Sequence, residues 1–389
     1  METQELSFVR QGIEAAERAN LSPFAAKAAE SKGRQVAEEE HPLRTAYQRD
    51  RDRILHTKAF RRLGHKTQVF LAPEGDHVRV RLTHTLEVTQ IARTIARALR
   101  LNEDLVEAIC LGHDLGHTPF GHLGEEVLNE FLKGLDAQLP PLPSGARRAF
   151  RHNEQSLRIV DCLEIRGDRR GLNLTWEVRD GIVNHTWSMP PPSTLEAQIA
   201  RYADRIAYVN HDIDDALRAG VLAVTDLPEV TRRTLGETPS DRIDAMVGAV
   251  VEASLDQPAI GMREPEREAM AETRAFLFRA VYQRPGIAGQ IHEAREVLST
   301  LCTWYWEHPE ALPGGPGPAP AGTPGAAGSH AAAGTPGAAG GKEAGSPEGT
   351  PAEVRVLDHV AGMTDRYALR EYERITGSAR SAARPGAGT

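Results

Sequence analysis

In residues 80–99, His84, Val88, Ile91, Ile95 and Leu99 recur at steps of three and four, so a helix through this segment carries all five on one face. A histidine is thereby aligned with residues that a folded chain buries. Val106, Ile109, Cys110 and His113 repeat the pattern, and Gly116 and Pro119 end that helix soon after Asp114. A third stripe, Ile199, Ala203, Ile206, Ile213 and Leu217, has Asp204 beside it. From about residue 50 to residue 302 the same spacing persists between short Gly, Pro or Asn breaks, with few alternating runs of strand type. Aromatic residues make up only 5% of the chain, while Ala, Leu, Arg and Glu are plentiful, a balance that favours helix over sheet. The expected fold is all-α, a helical bundle with additional helices in a single large domain.

A chain of 389 residues can bury a large core. Its expected organisation is an N-terminal helical extension over residues 1–49 and a main body over residues 50–310. Residues 311–352 are nearly all Gly, Ala, Pro, Ser and Thr, with too few large apolar side chains to offset the entropy of ordering them, and are expected to form a disordered loop. Helical spacing returns at residues 353–376, where Val356, Val360, Met363, Tyr367 and Leu369 suit a helix that docks on the main body; residues 377–389 are expected to be a disordered tail. The net charge of -8 argues against a protein that coats nucleic acid. Cys110, Cys162 and Cys302 form no C-x-x-C pair, so neither a disulfide framework nor a cysteine zinc site is supported, and a reducing compartment fits. Residues 1–18 mix Glu and Arg among apolar residues and lack the run of a signal peptide or membrane span. A cytoplasmic protein without membrane attachment is expected.

Chemistry concentrates in His84, the adjacent pair His113 and Asp114, and Asp204, which three separate helices deliver. A lone inward histidine is ordinarily a satisfied core group. An adjacent His-Asp pair at a helix end is different, because burying a carboxylate without a partner is costly. Metal coordination supplies that partner. Two imidazoles and two carboxylates suit a divalent first-row ion such as manganese, iron, nickel, cobalt or zinc, and suit magnesium less comfortably.

The order His84, His113-Asp114, Asp204 resembles the metal-binding pattern of the HD superfamily, and the surrounding words resemble its deoxyguanosinetriphosphate triphosphohydrolase branch. Residues 53–70 read RILHTKAFRRLGHKTQVF, residues 81–88 RLTHTLEV and residues 112–126 GHDLGHTPFGHLGEE. HNEQSL at 152–157, LNLTWEVRDGI at 172–182 and YADRIAYVNHDIDD at 202–215 continue the likeness, which covers roughly residues 22–375. The resemblance implies an HD-domain helical bundle that assembles into a homo-oligomer, commonly a hexamer. It also implies cleavage of a deoxynucleoside triphosphate into deoxynucleoside and intact triphosphate. An allosteric deoxynucleotide or single-stranded DNA is a further expected partner.

Carried onto these residues, the resemblance makes His84, His113, Asp114 and Asp204 the metal ligands, with manganese or magnesium the ion expected to serve in an assay. It makes His122 and Glu125 the catalytic pair. The residues agree, since His122 follows the break at Pro119 to Gly121 and a loop can aim it, while Glu125 is placed to hold its imidazole. His117 and His152 are expected beside the phosphates. Arg62, Arg81 and Arg205 are expected to contact phosphate, because a departing triphosphate needs cationic donors around it. Gln68 and Tyr208, by the same resemblance, are sugar contacts. Asp365 and Arg366, in the word AGMTDRYA, are assigned to packing. Two alternatives remain open at this point: an HD hydrolase of another nucleotide phosphate ester, and a regulator of low activity that binds nucleotides or single strands.

Overall fold

In the computed structural model, residues 7–68, 79–136, 138–140, 148–282, 288–313 and 345–377 are described. Three helices form the centre: α4 (Arg81–Ala98), α5 (Glu103–Gly112) and α9 (Leu195–Arg218), each packed on the other two. Their apolar stripes follow the sequence spacing, and Val88, Ile91, Ile95, Val106, Ile109, Ile199, Ala203 and Ile206 are all buried. Side-chain caps set where two of them begin. Asn102 accepts from the Leu105 amide at 3.2 Å and Thr194 from the Ala197 amide at 3.2 Å, satisfying amides that have no partner within a helix.

Around this centre lie α2 (Ala46–Leu55) on α5, and α8 (Trp176–Asn184) against both α5 and α9, with α7 (His152–Arg158) beside α8. On the far side α10 (Pro239–Ser254) and α11 (Glu264–Leu277) cover α9. The approach of α5 to α8 is set by two glycines. A Cβ on Gly112 would lie 2.6 Å from Ile182 Cδ1, and one on Gly181 would lie 2.6 Å from Ile109 Cδ1. That closeness carries His113, next after Gly112, up to the end of α8. The only paired strands among the described residues are β1 (Ile165–Arg166) and β2 (Arg169–Arg170), a short antiparallel hairpin. The fold is all-α, as expected.

A second apolar cluster joins α6 (His122–Leu135) and α12 (Ala288–Glu307) to α13 (Ala352–Ala361) and α14 (Asp365–Thr376), through Val127, Leu128, Leu132, Val297, Leu301, Val356, Val360 and Tyr372. The C-terminal region is thus two helices where the spacing suggests one. The chain turns at Gly362 and restarts at Thr364, whose hydroxyl accepts from the Tyr367 amide at 3.3 Å. At the other end, α1 (Ser7–Asn20) is helical, but the stretch to residue 45 holds only a short turn at Ala28–Glu30 and is otherwise non-helical. It is pinned by side chains instead. Glu17 accepts from the Ala28 amide, Glu196 from the Ala26 amide, Glu177 from the Lys32 amide, and Arg34 pairs with Asp50. Most of the expected loop at 311–352 and nearly all of the expected tail at 377–389 lie outside the described residues. No described helix is long and apolar enough to cross a membrane. All three cysteines are free.

Candidate metal centre and active site

The helix stripes bring His84 of α4 together with His113 and Asp114 at the end of α5 as one group of convergent ligand atoms, and Asp204 of α9 reaches the two imidazoles. His84 Nε2 lies 3.1 Å from Asp204 Oδ1. His113 Nε2 lies 3.5 Å from Asp114 Oδ1 and 3.8 Å from Asp204 Oδ1. Each imidazole is held by its other nitrogen. His113 Nδ1 donates to the Cys110 carbonyl at 2.6 Å, and His84 Nδ1 is 3.3 Å from His211 Nδ1, whose Nε2 is hydrogen-bonded to Glu87. Fixing the distal nitrogen orients the other one, as outer partners do for metal-binding histidines. His113 Nε2 is buried, yet no described residue hydrogen-bonds to it.

A nitrogen lone pair and two carboxylates converging in a buried space fit a divalent cation by donor chemistry. The carboxylates are already tuned to stay ionised. Burial alone would raise Asp114 and Asp204, but for Asp114 the charges of His113, Arg81, His117 and His84 outweigh it. For Asp204 the His84 hydrogen bond and the charges of His113 and His84 do so. Both are held well below the usual carboxylate range.

Beside the four lies a second tier of histidines. His117 stacks on His152 at 4.3 Å between ring centroids, and the His122 ring is 5.2 Å from His117 and 6.3 Å from Tyr208. Burial, with Arg81 and His152, pushes His122 down to about 4. The Glu125 carboxylate does not hold His122 as the sequence suggests. It accepts from His152 Nδ1 at 2.8 Å. The reason is positional: His122 opens α6, Glu125 sits one turn along, and the start of α7 presents His152 to it. Burial opposes a charged His152, but the Glu125 bond prevails and raises it, while Glu125 is lowered.

The arginines divide differently from expectation. Arg81, 2% exposed, gives Nη1 to Asp114 Oδ2 at 2.8 Å and so steadies that carboxylate, while its Nη2 lies 3.2 Å from a Cβ built on Gly121. Arg62 lines a separate cavity of about 260 Å³, with Lys58, Arg355 and Asp358, to which none of the four ligand residues contributes. Arg205 lies over the Trp187 ring at 4.2 Å, and burial and Arg274 lower it to about 10. Gln68 is buried next to the His122 loop, its backbone oxygen 3.6 Å from a Cβ built on Gly121. Other basic residues that precede the ligands in sequence make ion pairs: Arg79 with Asp214 and Asp215, Arg51 with Asp104, and Arg53 with Glu38.

Four residues stand outside the candidate set read from the sequence. His185 closes α8, donates from Nδ1 to the Ile182 carbonyl at 2.8 Å, and turns Nε2 to within 3.4 Å of His152 Nε2. With Asp114 and His152 it forms a second group of convergent ligand atoms. The spacing Val178, Ile182, His185 would have found it by the rule that found His84. His211 and its partner Glu87 were equally legible, as His211 lies two turns beyond Asp204 and Glu87 one turn beyond His84. Lys66, fully buried and lowered to about 7 by burial and Arg62, gave no such signal.

The HD domain family matches residues 81–209, and the phosphohydrolase-associated domain matches residues 260–319 and 342–374. Fold and cluster therefore place the chain among the HD-domain phosphohydrolases. A deoxyguanosinetriphosphate triphosphohydrolase-like protein from Caldanaerobacter subterraneus subsp. tengcongensis is 49% identical over 94% of this chain and 95% of its own length. Proteins of the same description from Desulfatibacillum aliphaticivorans and Clostridium perfringens are 45% and 41% identical, each over 94% of this chain and 97% of its own. The chain belongs to the deoxyguanosinetriphosphate triphosphohydrolase-like family.

Proposed function

We propose that the chain hydrolyses deoxynucleoside triphosphates, dGTP or a broader set, to deoxynucleoside and inorganic triphosphate in a metal-dependent reaction. The observation that carries the reading is His113: a buried nitrogen with no described hydrogen-bond partner, facing two ionised carboxylates, with a second imidazole on one of them. His84, His113, Asp114 and Asp204 would hold the ion. When bound, it supplies Lewis-acid polarisation of the α-phosphoryl group and acidification of a water.

The chain's own residues do the rest. Arg81 fixes Asp114, and His211 fixes His84. His122 is neutral at pH 7 with a value of about 4, the form that takes a proton from an attacking water. His152, whose bond to Glu125 favours the imidazolium, sets positive charge where the triphosphate departs, with His117 stacked on it, and Arg205 on α9 would add a second cation there. Tyr208, one turn beyond Asp204, and Gln68 would face the deoxyribose. Arg62 has no part in this scheme.

The test incubates purified protein and manganese with each dNTP, alone and in mixtures, and separates the products. Intact triphosphate is expected, and faster turnover in mixtures would report a second, activating nucleotide. Phosphate or pyrophosphate as the product would instead make the chain a hydrolase of a different ester. Salt-sensitive single-strand binding without turnover would make it a regulator.

A further inference from the structure

His122 is reached through a turn that the backbone disfavours. Phe120 and Gly121 adopt φ of 58° and 64° in succession, and His122 follows directly as the first residue of α6. A left-handed phenylalanine persists only where its surroundings fix it, and such residues gather at functional sites. The surroundings here come from both ends of the chain. The Phe120 amide donates to Asp365 Oδ1 at 3.0 Å, and Asp365 Oδ2 accepts from the Thr67 amide and hydroxyl, each at 2.8 Å. Lys66 Nζ donates to the His117 carbonyl and, at 2.8 Å, to the Ala361 carbonyl. Within the turn, the Thr118 hydroxyl donates to the Gly121 carbonyl at 2.7 Å.

Residues 66–67 and the α13–α14 turn therefore grip the same loop from two sides. Both gripping side chains are out of solvent, with Lys66 2% and Asp365 8% exposed. A buried lysine held on two carbonyls is a costly way to pack two segments. Asp365 opens α14, where an acidic residue suits the helix end, yet its oxygens are spent on Thr67 and Phe120.

We propose that Asp365 and Lys66 are positioning residues for hydrolysis: they hold the Phe120–Gly121 turn in its left-handed form and so fix the His122 ring above the ligand cluster. The C-terminal helices are then a working part of the site, although Asp365 stands 245 residues from Phe120 in sequence. The role assigned to His122 rests on the function proposed above; the grip itself does not.

The test compares the full chain with Asp365→Asn and Lys66→Met. It measures kcat and KM for triphosphate release, manganese content, melting temperature, and hydrogen exchange of the Phe120 and His122 amides. Both variants are expected to lose about tenfold to a hundredfold in kcat, the scale of a small misplacement of a reacting group. KM and manganese content should be little changed and exchange of the two amides faster. Lys66→Met keeps an apolar stem of similar length while removing the donor to the His117 and Ala361 carbonyls, so its melting temperature is read beside its kcat. Unchanged kcat with unchanged amide exchange would overturn the proposal. So would a parallel fall of kcat, manganese content and melting temperature, which marks residues needed only for folding. If the parent chain releases no triphosphate, the functional reading fails, and the amide exchange still decides whether Asp365 and Lys66 hold the turn.

Discussion

At the scale of single residues, the orientation of His84 depends on a chain of contacts that ends at the surface. Glu87, whose side chain is 44% exposed, holds His211, and the buried His211 in turn faces the His84 Nδ1. Replacing His211 with Leu should weaken manganese binding about tenfold to a hundredfold, the usual cost of losing an outer partner. Glu87→Gln should cost less, since its carboxylate is partly solvated. A manganese titration followed by electron paramagnetic resonance measures both; equal affinity in parent and His211→Leu would remove His211 from the centre. His84, His113 and Asp204 were legible from the sequence because each sits on or beside an apolar stripe, and burial of a polar group among Val and Ile demands a reason. The partner of Glu125 was not. Glu125 sees His122 along its own helix and His152 across space, and only the placing of His152 at the start of α7 decides between them.

At the scale of elements, the N-terminal segment shows carboxylates doing what apolar packing does elsewhere. Glu196, the second residue of α9, accepts from the amides of Ala26 and Asn102 through Oε1, while its Oε2 is buried without a described partner. Burial raises it to about 7, against opposing hydrogen bonds from those amides. Because the folded value lies above the ordinary one of 4.5, the stability it contributes is complete below about pH 4.5. That contribution is lost as the pH rises through 7. The difference from this group is on the order of 3 kcal/mol between pH 5 and pH 8. Glu196→Gln should therefore melt higher than the parent at pH 8 and converge with it near pH 5, as thermal denaturation at the two values will show. A gap independent of pH would contradict the buried carboxylate. Helix positions in the main body were readable because period and caps agree locally, as at Asn102 and Thr194. Residues 31–45 were not, since their order comes from distant side chains such as Glu177 and Asp50.

At the scale of the molecule, the site lies where two apolar clusters meet. The ligands belong to α4, α5 and α9 of the larger cluster, whereas His122 and Glu125 ride on α6 of the smaller one with the C-terminal helices. No local pattern in the sequence announces that meeting, because it depends on contacts such as Phe120 to Asp365 and Gln155 to Asp358 at 3.0 Å. On the reading proposed above, one divalent ion held by His84, His113, Asp114 and Asp204 drives the hydrolysis. The most direct test of that reading strips the protein with chelator, restores manganese stepwise, and follows triphosphate release from dGTP beside an Asp114→Ala variant. Activity should vanish on stripping, return in proportion to manganese bound by the parent, and stay absent in the variant. Turnover that survives either the chelator or the loss of Asp114 would contradict the account.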